Sequence, residues 1–163
     1  MSSSDSADLP DVAQVLGDLI ASVPPEQRPI FLTIAERMAA ERYRGWAADA
    51  NDEADREQLL ACAAREEEIA ERVEAIFPNA EAIARDIHAK HPELPELNRS
   101  VFAGRPIEDQ YTIQARGERV GAATWTSFAK RTESAEAREV FHACVGLEEE
   151  NARALEGLLG RSV

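Results

Sequence analysis

The sequence predicts an all-α protein whose centre is a four-helix bundle. Ala, Glu, Arg and Leu dominate the composition, and apolar residues recur with helical spacing. The β-branched alternation that strands require is almost absent. Four long helical segments fall into two pairs with a longer connection between the pairs. The predicted layout is therefore a helical hairpin, a crossover and a second helical hairpin.

Composition limits the class of protein. A chain of 163 residues fits one domain, and 44% hydrophobic with 30% charged residues indicates a soluble globular protein. The 18 basic against 31 acidic residues give a net charge of −13, which disfavours nucleic acids and anionic membranes as partners. The sequence has no apolar run of the roughly 18–20 residues that span a bilayer, and residues 1–10 lack the features of a secretory signal. These observations predict a cytoplasmic location.

The chain before the first hairpin is predicted to hold one short helix. Residues 1–10 are rich in serine and are expected to be a mobile segment, so the single folded domain is expected to span residues 11–163. An apolar stripe predicts a helix that ends near the Pro24-Pro25 pair. The stripe consists of Val12, Leu16, Leu19 and Ile20.

The first hairpin is predicted at about residues 25–77. One helix is expected from about Pro25 to Ala50 and a second from about Glu53 to Phe77. Asn51-Asp52 is typical of a turn, and Pro78 ends the second helix because proline cannot continue it.

The crossover and the second hairpin follow. Residues 78–106 are expected to form a short helix at about 79–91 and then a connector with little regular structure, which is punctuated by Pro92, Pro95, Gly104 and Pro106. The second hairpin is predicted at about 107–160, with helices at about 107–131 and 135–159. Thr132–Ser134 form its turn, and Gly160 ends the last helix.

The two hairpins resemble one another in sequence. A shift of 82 positions aligns residues 36–77 with residues 118–159 without a gap, and 13 of the 42 pairs are identical. About a tenth of the pairs would match by chance in a composition so rich in Ala and Glu. The alignment predicts an internal repeat and a pseudo-two-fold bundle.

Each long helix also places one glutamate within its apolar face. The four residues are Glu36, Glu66, Glu118 and Glu148. Four ionised carboxylates cannot be buried together unless protons, basic side chains or a metal ion compensate their charge. A metal ion is one solution. The alternative is that helix rotation carries some of them to the bundle edge, where Arg37, Arg65 or Arg119 neutralise them.

At these residues the sequence resembles the ferritin-like superfamily, particularly its rubrerythrin-like members, over nearly all of the chain from Phe31 onward. One helix of each hairpin in that family carries the pattern Glu-x-x-Ala-x-x-x-Tyr-x-x-x-Ala. The first half of this chain has Glu36, Ala39, Tyr43 and Ala47 at those positions, and the second half has Glu118, Gly121, Trp125 and Ala129. The resemblance implies a ferritin-like four-helix bundle with a di-iron carboxylate site.

The other family motif, Glu-x-x-His, is altered in both halves. Glu66 is followed by Ile69 and Glu148 by Asn151 at the two histidine positions. His88, His91 and His142 lie away from the motif. All four family carboxylates are thus present without either imidazole.

Cys62 and Cys144 occupy equivalent positions of the repeat. Two cysteines are too few for a disulfide framework, so both are expected to be buried and reduced. Tyr43 is expected to border the site, while Trp46, Trp125 and Phe128 are expected to be core aromatics.

Three functions are compatible with this pattern. The first is weak metal binding without efficient redox catalysis, through Glu36, Glu66, Glu118 and Glu148 with Asn151 at the periphery. Such an oxygen-only set favours Mg²⁺, Ca²⁺ or Mn²⁺, and iron remains an alternative. The second is a metal-free bundle that serves as an interaction or structural module, and the third is a di-iron oxidase or ferroxidase with unusual ligands. The resemblance also implies pairing into a homodimer, while the sequence indicates no specific protein partner.

Overall fold

The computed structural model describes residues 8–161, and the regular secondary structure in this part of the chain is entirely helical. The all-α prediction is confirmed. A short 3-10 helix, Pro25–Gln27, leads into the second of the α-helices. The α-helices are α1 (Val12–Ser22), α2 (Arg28–Asp49), α3 (Glu53–Ala75), α4 (Ala80–Lys90), α5 (Leu94–Phe102), α6 (Ile107–Arg131) and α7 (Ala135–Arg161). Residues 1–10 are the segment expected to be mobile, and residues 1–7 of it lie outside the described part of the chain.

The four long helices form two packed pairs. α2 packs against α3 and α6 against α7, and contacts between α3 and α7 join the pairs. The turns between the partners are fixed by helix caps. Asp52 accepts hydrogen bonds from the backbone N–H groups of Ala54 and Asp55 at 2.8 and 3.1 Å, and Ser134 Oγ accepts one from Ala137 N–H at 3.1 Å. These side chains satisfy N–H groups that have no partner within the helix, which explains why α3 and α7 begin where they do.

The expectation of little regular structure after Pro92 is wrong, because α5 forms there. Pro95 lies in the first turn of α5, where its missing N–H removes no intrahelical hydrogen bond. The helix buries Leu94, Val101 and Phe102 on its inner side. This proline begins a helix instead of breaking one.

The prediction that Gly160 ends the last helix is also wrong, since α7 continues to Arg161. Arg161 contacts α3 through Asp55 at 3.1 Å and Gln58 at 3.4 Å. These contacts hold the final turn against its neighbour. Within the described residues, no helix combines the length and apolar character needed to cross a membrane.

The buried apolar residues form two clusters, one on each side of a polar layer. On α3, Cys62 belongs to one cluster and Ile69 to the other, and Glu66 lies between them. On α7, Glu148 likewise lies between Cys144 and Leu155. α2 and α6 repeat this order around their own buried glutamates. The fold therefore concentrates its buried acidic groups in one layer across the four long helices.

Candidate metal centre

The four glutamates singled out by the sequence are all buried. Their residues are exposed by 8% at Glu36, 0% at Glu66, and 1% at both Glu118 and Glu148. Each comes from a different long helix, in the order α2, α3, α6 and α7. The predicted inward position is therefore correct for all four residues.

Three of these carboxylates meet at one point. Glu36, Glu66 and Glu148 each offer an oxygen, and these oxygens lie within 4.8 Å of one another. We call these three residues the carboxylate cluster. In the described part of the chain this is the one group of acidic, histidine or cysteine side chains that is close enough to share a metal ion.

Glu118 lies beside the carboxylate cluster and has its own hydrogen-bond partners. Its Oε1 accepts hydrogen bonds from the Tyr43 hydroxyl at 2.6 Å and from Gln114 Nε2 at 2.8 Å. Tyr43 therefore borders the site as expected. Gln114 lies four residues before Glu118 on the same helical face, and this spacing was a usable sequence signal for the hydrogen bond between them.

A partly buried arginine that sequence reasoning missed completes this side of the site. Arg42 donates to Gln114 Oε1 from Nε at 3.1 Å and from Nη2 at 2.9 Å, and to Asn98 Oδ1 from Nη1 at 2.8 Å. Its guanidinium also stacks over the Phe102 ring at 3.7 Å. Burial lowers the pKa of Arg42 to about 10, so its charge persists at neutral pH. Arg42 lies six residues after Glu36, off the apolar stripe, and periodicity gave no sign of these contacts.

Glu148 is held by α6. Trp125 Nε1 donates a hydrogen bond to Glu148 Oε1 at 2.9 Å. The absence of a side chain at Gly121 makes room for the same carboxylate, because a Cβ there would lie 2.5 Å from Oε1. Two positions on α6 therefore fix one carboxylate of α7.

Glu66 has one satisfied oxygen and one unsatisfied oxygen. Asn151 Nδ2 donates to Glu66 Oε1 at 2.8 Å and to the Cys62 carbonyl at 3.2 Å. Glu66 Oε2 is buried without a hydrogen-bond partner. The amide oxygen of Asn151 accepts from Arg65 Nη1 at 3.2 Å, so it faces Arg65 instead of the cluster.

Burial shifts the pKa values of the cluster upward. The pKa values of Glu66 and Glu148 lie well above 4.5, primarily because burial disfavours the ionised form and secondarily because neighbouring carboxylates repel it. The pKa of Glu36 is also raised, again mainly by burial. The metal-free cluster therefore retains protons at pH values where exposed carboxylates have lost them.

The arginines expected to neutralise these glutamates make other contacts. Arg37 pairs with Glu67 and Glu74, Arg119 pairs with Glu156, and Arg65 pairs with Glu150. The alternative in which these arginines neutralise the four glutamates at the bundle edge is therefore not what the structure shows.

The histidine and cysteine residues lie outside the cluster. His88 and His142 are exposed, and His91 contacts Ser22 Oγ at 3.3 Å. Cys62 and Cys144 are free, fully buried thiols whose pKa values are raised by burial to about 12. Ile69 is fully buried within an apolar cluster. The core aromatics are buried at Trp46 and Trp125, whereas Phe128 is only partly buried.

No family model, curated protein or solved structure matches this chain.

Proposed function

We propose that this chain binds a divalent metal ion through Glu36, Glu66 and Glu148. One observation carries the proposal: Glu66 Oε2 is a fully buried carboxylate oxygen without a partner, next to two further carboxylates. A buried polar atom without a partner costs about 1–3 kcal/mol, and more where the group is charged. A cation in the cluster would remove that cost and the mutual repulsion of the three carboxylates.

The donor atoms favour a hard cation. The cluster offers carboxylate oxygens, and Ile69 and Asn151 stand where the ferritin-like pattern has imidazoles. Oxygen ligands suit Mg²⁺, Ca²⁺ and Mn²⁺, whereas imidazole suits iron, zinc and copper. The residues present therefore fit an oxygen-bound cation better than a histidine-bound iron pair. In this proposal the protein binds metal without efficient dioxygen chemistry.

Asn151 and Glu118 act at the periphery of the proposed site. Asn151 orients Glu66 by donating to Oε1, which leaves Oε2 free for the cation. Glu118 already accepts two hydrogen bonds at Oε1, so it is less available as a ligand than the three residues of the carboxylate cluster. Such neighbours set the orientation and charge of the ligands they contact.

The proposal includes a ferritin-like four-helix bundle with an internal repeat. The ion pair between Arg37 and Glu74 joins α2 to α3, and the ion pair between Arg119 and Glu156 joins α6 to α7. Both residues of the second pair lie 82 positions after those of the first, as the repeat requires. Cys62 and Cys144, which the repeat also equates, are equally buried. These paired features support a duplicated hairpin.

The test is a metal titration of chelator-treated protein. Mn²⁺, Ca²⁺ and Fe²⁺ are added in turn, and both binding heat and melting temperature are recorded. An ion at a hundred times its dissociation constant stabilises the fold by about 2.7 kcal/mol through linkage. The melting temperature should therefore rise by roughly 5–10 °C for a chain of this size.

Variants locate the bound ion. The double variant Glu66→Gln, Glu148→Gln keeps the side-chain shapes and should lose the metal-dependent shift. Glu71→Gln changes an exposed glutamate on the same helix and should keep the full shift. No shift in the wild type, or an equal shift in the double variant, would rule out this site and favour the metal-free interaction module. Rapid oxidation of added Fe²⁺ in air would instead favour the oxidase.

A further inference from the structure

A cavity of about 190 Å³ lies between α2 and α6 and reaches the carboxylate cluster from the side of α1. α1 covers it with Val12, Leu16 and Ile20, and α2 adds Phe31 and Leu32. Its wall is therefore mostly apolar. The apolar part of such a wall accepts an apolar group.

The size of the cavity sets the size of its ligand. A cavity of about 150 Å³ lined by aliphatic and aromatic side chains is large enough to bind benzene. The space next to the cluster therefore fits a single ring or a short chain that carries one small polar group. It is too small for a nucleotide or a peptide.

The polar residues of the cavity wall determine which charge is favoured on the polar group of the ligand. Glu36, Glu118 and Glu148 line the cavity, whereas Glu66 lies outside its lining. Arg42 also lines it, but all three of its guanidinium nitrogens already donate to Gln114 or Asn98. The cavity thus presents three carboxyl groups and one guanidinium, whose nitrogens already donate to the neutral amide oxygens of Gln114 and Asn98. Because the three carboxyl groups outnumber the one guanidinium, a positively charged hydrogen-bond donor matches this wall better than an anion does, and it would replace the protons that the metal-free cluster otherwise retains.

We propose that this cavity binds a small primary amine of about eight non-hydrogen atoms in total, with an apolar body that is a single ring or a short chain. The apolar body lies against α1 and α2, and the ammonium group faces Glu36 and Glu148. This inference goes beyond metal binding and does not depend on it. Because both ligands use Glu36 and Glu148, the amine and a metal ion compete for the protein.

Three probes of similar size that share one aromatic ring test the charge requirement. Benzylamine, benzyl alcohol and benzoate are titrated by calorimetry into the chelator-treated full chain. Benzylamine should bind best, and the dissociation constant of benzoate should be at least about tenfold higher. Equal affinity for benzylamine and benzoate, or no binding of benzylamine, would overturn the proposal.

Variants that fill the cavity distinguish benzylamine binding in the cavity from its general attraction to an acidic surface. Gly117 lines the cavity, and a Cβ at this position would meet nothing within 4 Å, so Gly117→Leu places apolar bulk there without changing any charge. Gly45→Leu is the matched control, because Gly45 is an exposed helical glycine outside the lining. Gly117→Leu should weaken benzylamine binding at least about tenfold, while Gly45→Leu should not change it. Ala35→Leu fills the same space from α2 and should act like Gly117→Leu. Unchanged binding in whichever of the two filling variants folds would overturn the proposal.

Manganese distinguishes this proposal from the metal site. Addition of Mn²⁺ should weaken benzylamine binding in the wild type. Benzylamine binding to a protein that binds no Mn²⁺ would support the cavity and contradict the metal site. Mn²⁺ binding to a protein that does not bind benzylamine would support the metal site and contradict the amine site.

Discussion

The carboxylate of Glu148 occupies the space that a side chain at position 121 would need. A Cβ built on Gly121 would lie 2.5 Å from Oε1 and 2.8 Å from Cδ of Glu148. Both values are far below van der Waals contact. The glycine on α6 is therefore a steric requirement of the buried carboxylate on α7.

Substitution of Gly121 tests this requirement. Gly121→Ala should lower the free energy of unfolding by about 1–3 kcal/mol through overpacking, partly offset by alanine's higher helix propensity of about 0.5–1 kcal/mol. Gly146→Ala is the control, because a Cβ there meets nothing within 4 Å, and it should stabilise the protein. Urea unfolding measures both variants. Equal stability of the two would show that Glu148 moves aside at little cost.

The raised pKa values of the cluster predict a pH dependence of stability in the metal-free protein. In the unfolded chain Glu66 and Glu148 ionise near 4.5, whereas burial raises their folded pKa values well above this. Their stabilising contribution is complete below about pH 4.5 and is lost as pH rises through the folded pKa values. The wild type should therefore lose stability relative to Glu66→Gln, Glu148→Gln as pH rises. Denaturant unfolding of both proteins across pH 4–8 measures the difference, and a difference independent of pH would refute the protonated cluster.

Restoring the missing imidazoles should change metal preference. The double variant Ile69→His, Asn151→His should raise the affinity for Zn²⁺ relative to Mn²⁺ by at least about tenfold, because imidazole suits zinc better than manganese. Ile69→Leu controls for repacking in the apolar cluster that contains this residue. Competition titrations measure the ratio. An unchanged ratio in folded protein would place the bound metal away from positions 69 and 151.

The two thiols should react only when the protein unfolds. Cys62 and Cys144 are fully buried, and burial raises both pKa values to about 12, so the reactive thiolate is scarce at neutral pH. Labelling with a thiol reagent should be slow in buffer and complete within seconds in denaturant. Fast labelling of either thiol in the native protein would contradict the packing of α3 or α7.

Helical periodicity was sufficient to predict the helices and the inward glutamates. Glu66 lies four residues after Cys62 on one face of α3, and such spacing survives folding unchanged. Helical periodicity does not predict which side chains of different helices contact one another. The orientation of Asn151 toward Glu66 depends on how α7 packs against α3, and the position of Arg42 depends on its hydrogen bond to Asn98 from the unexpected helix α5.

The proline and glycine residues were the least reliable sequence signals for where helices begin and end. Pro95 lies in the first turn of α5, and Gly160 lies inside α7. Proline occurs both in the first turn of a helix and just after a helix ends, and glycine occurs both within a helix and at its C-terminal end. Contacts with residues that are distant in sequence determine which position is adopted. For α7 those contacts are the bonds from Arg161 to Asp55 and Gln58.

Anomalous diffraction from a crystal soaked in Mn²⁺ shows directly whether the three carboxylates bind the metal ion. We expect one manganese peak within coordination distance, roughly 2.0–2.6 Å, of oxygens from Glu36, Glu66 and Glu148. Glu66 Oε2 should be among those oxygens. The absence of a peak at the three carboxylates, or a peak confined to exposed acidic residues, would contradict the proposed metal centre.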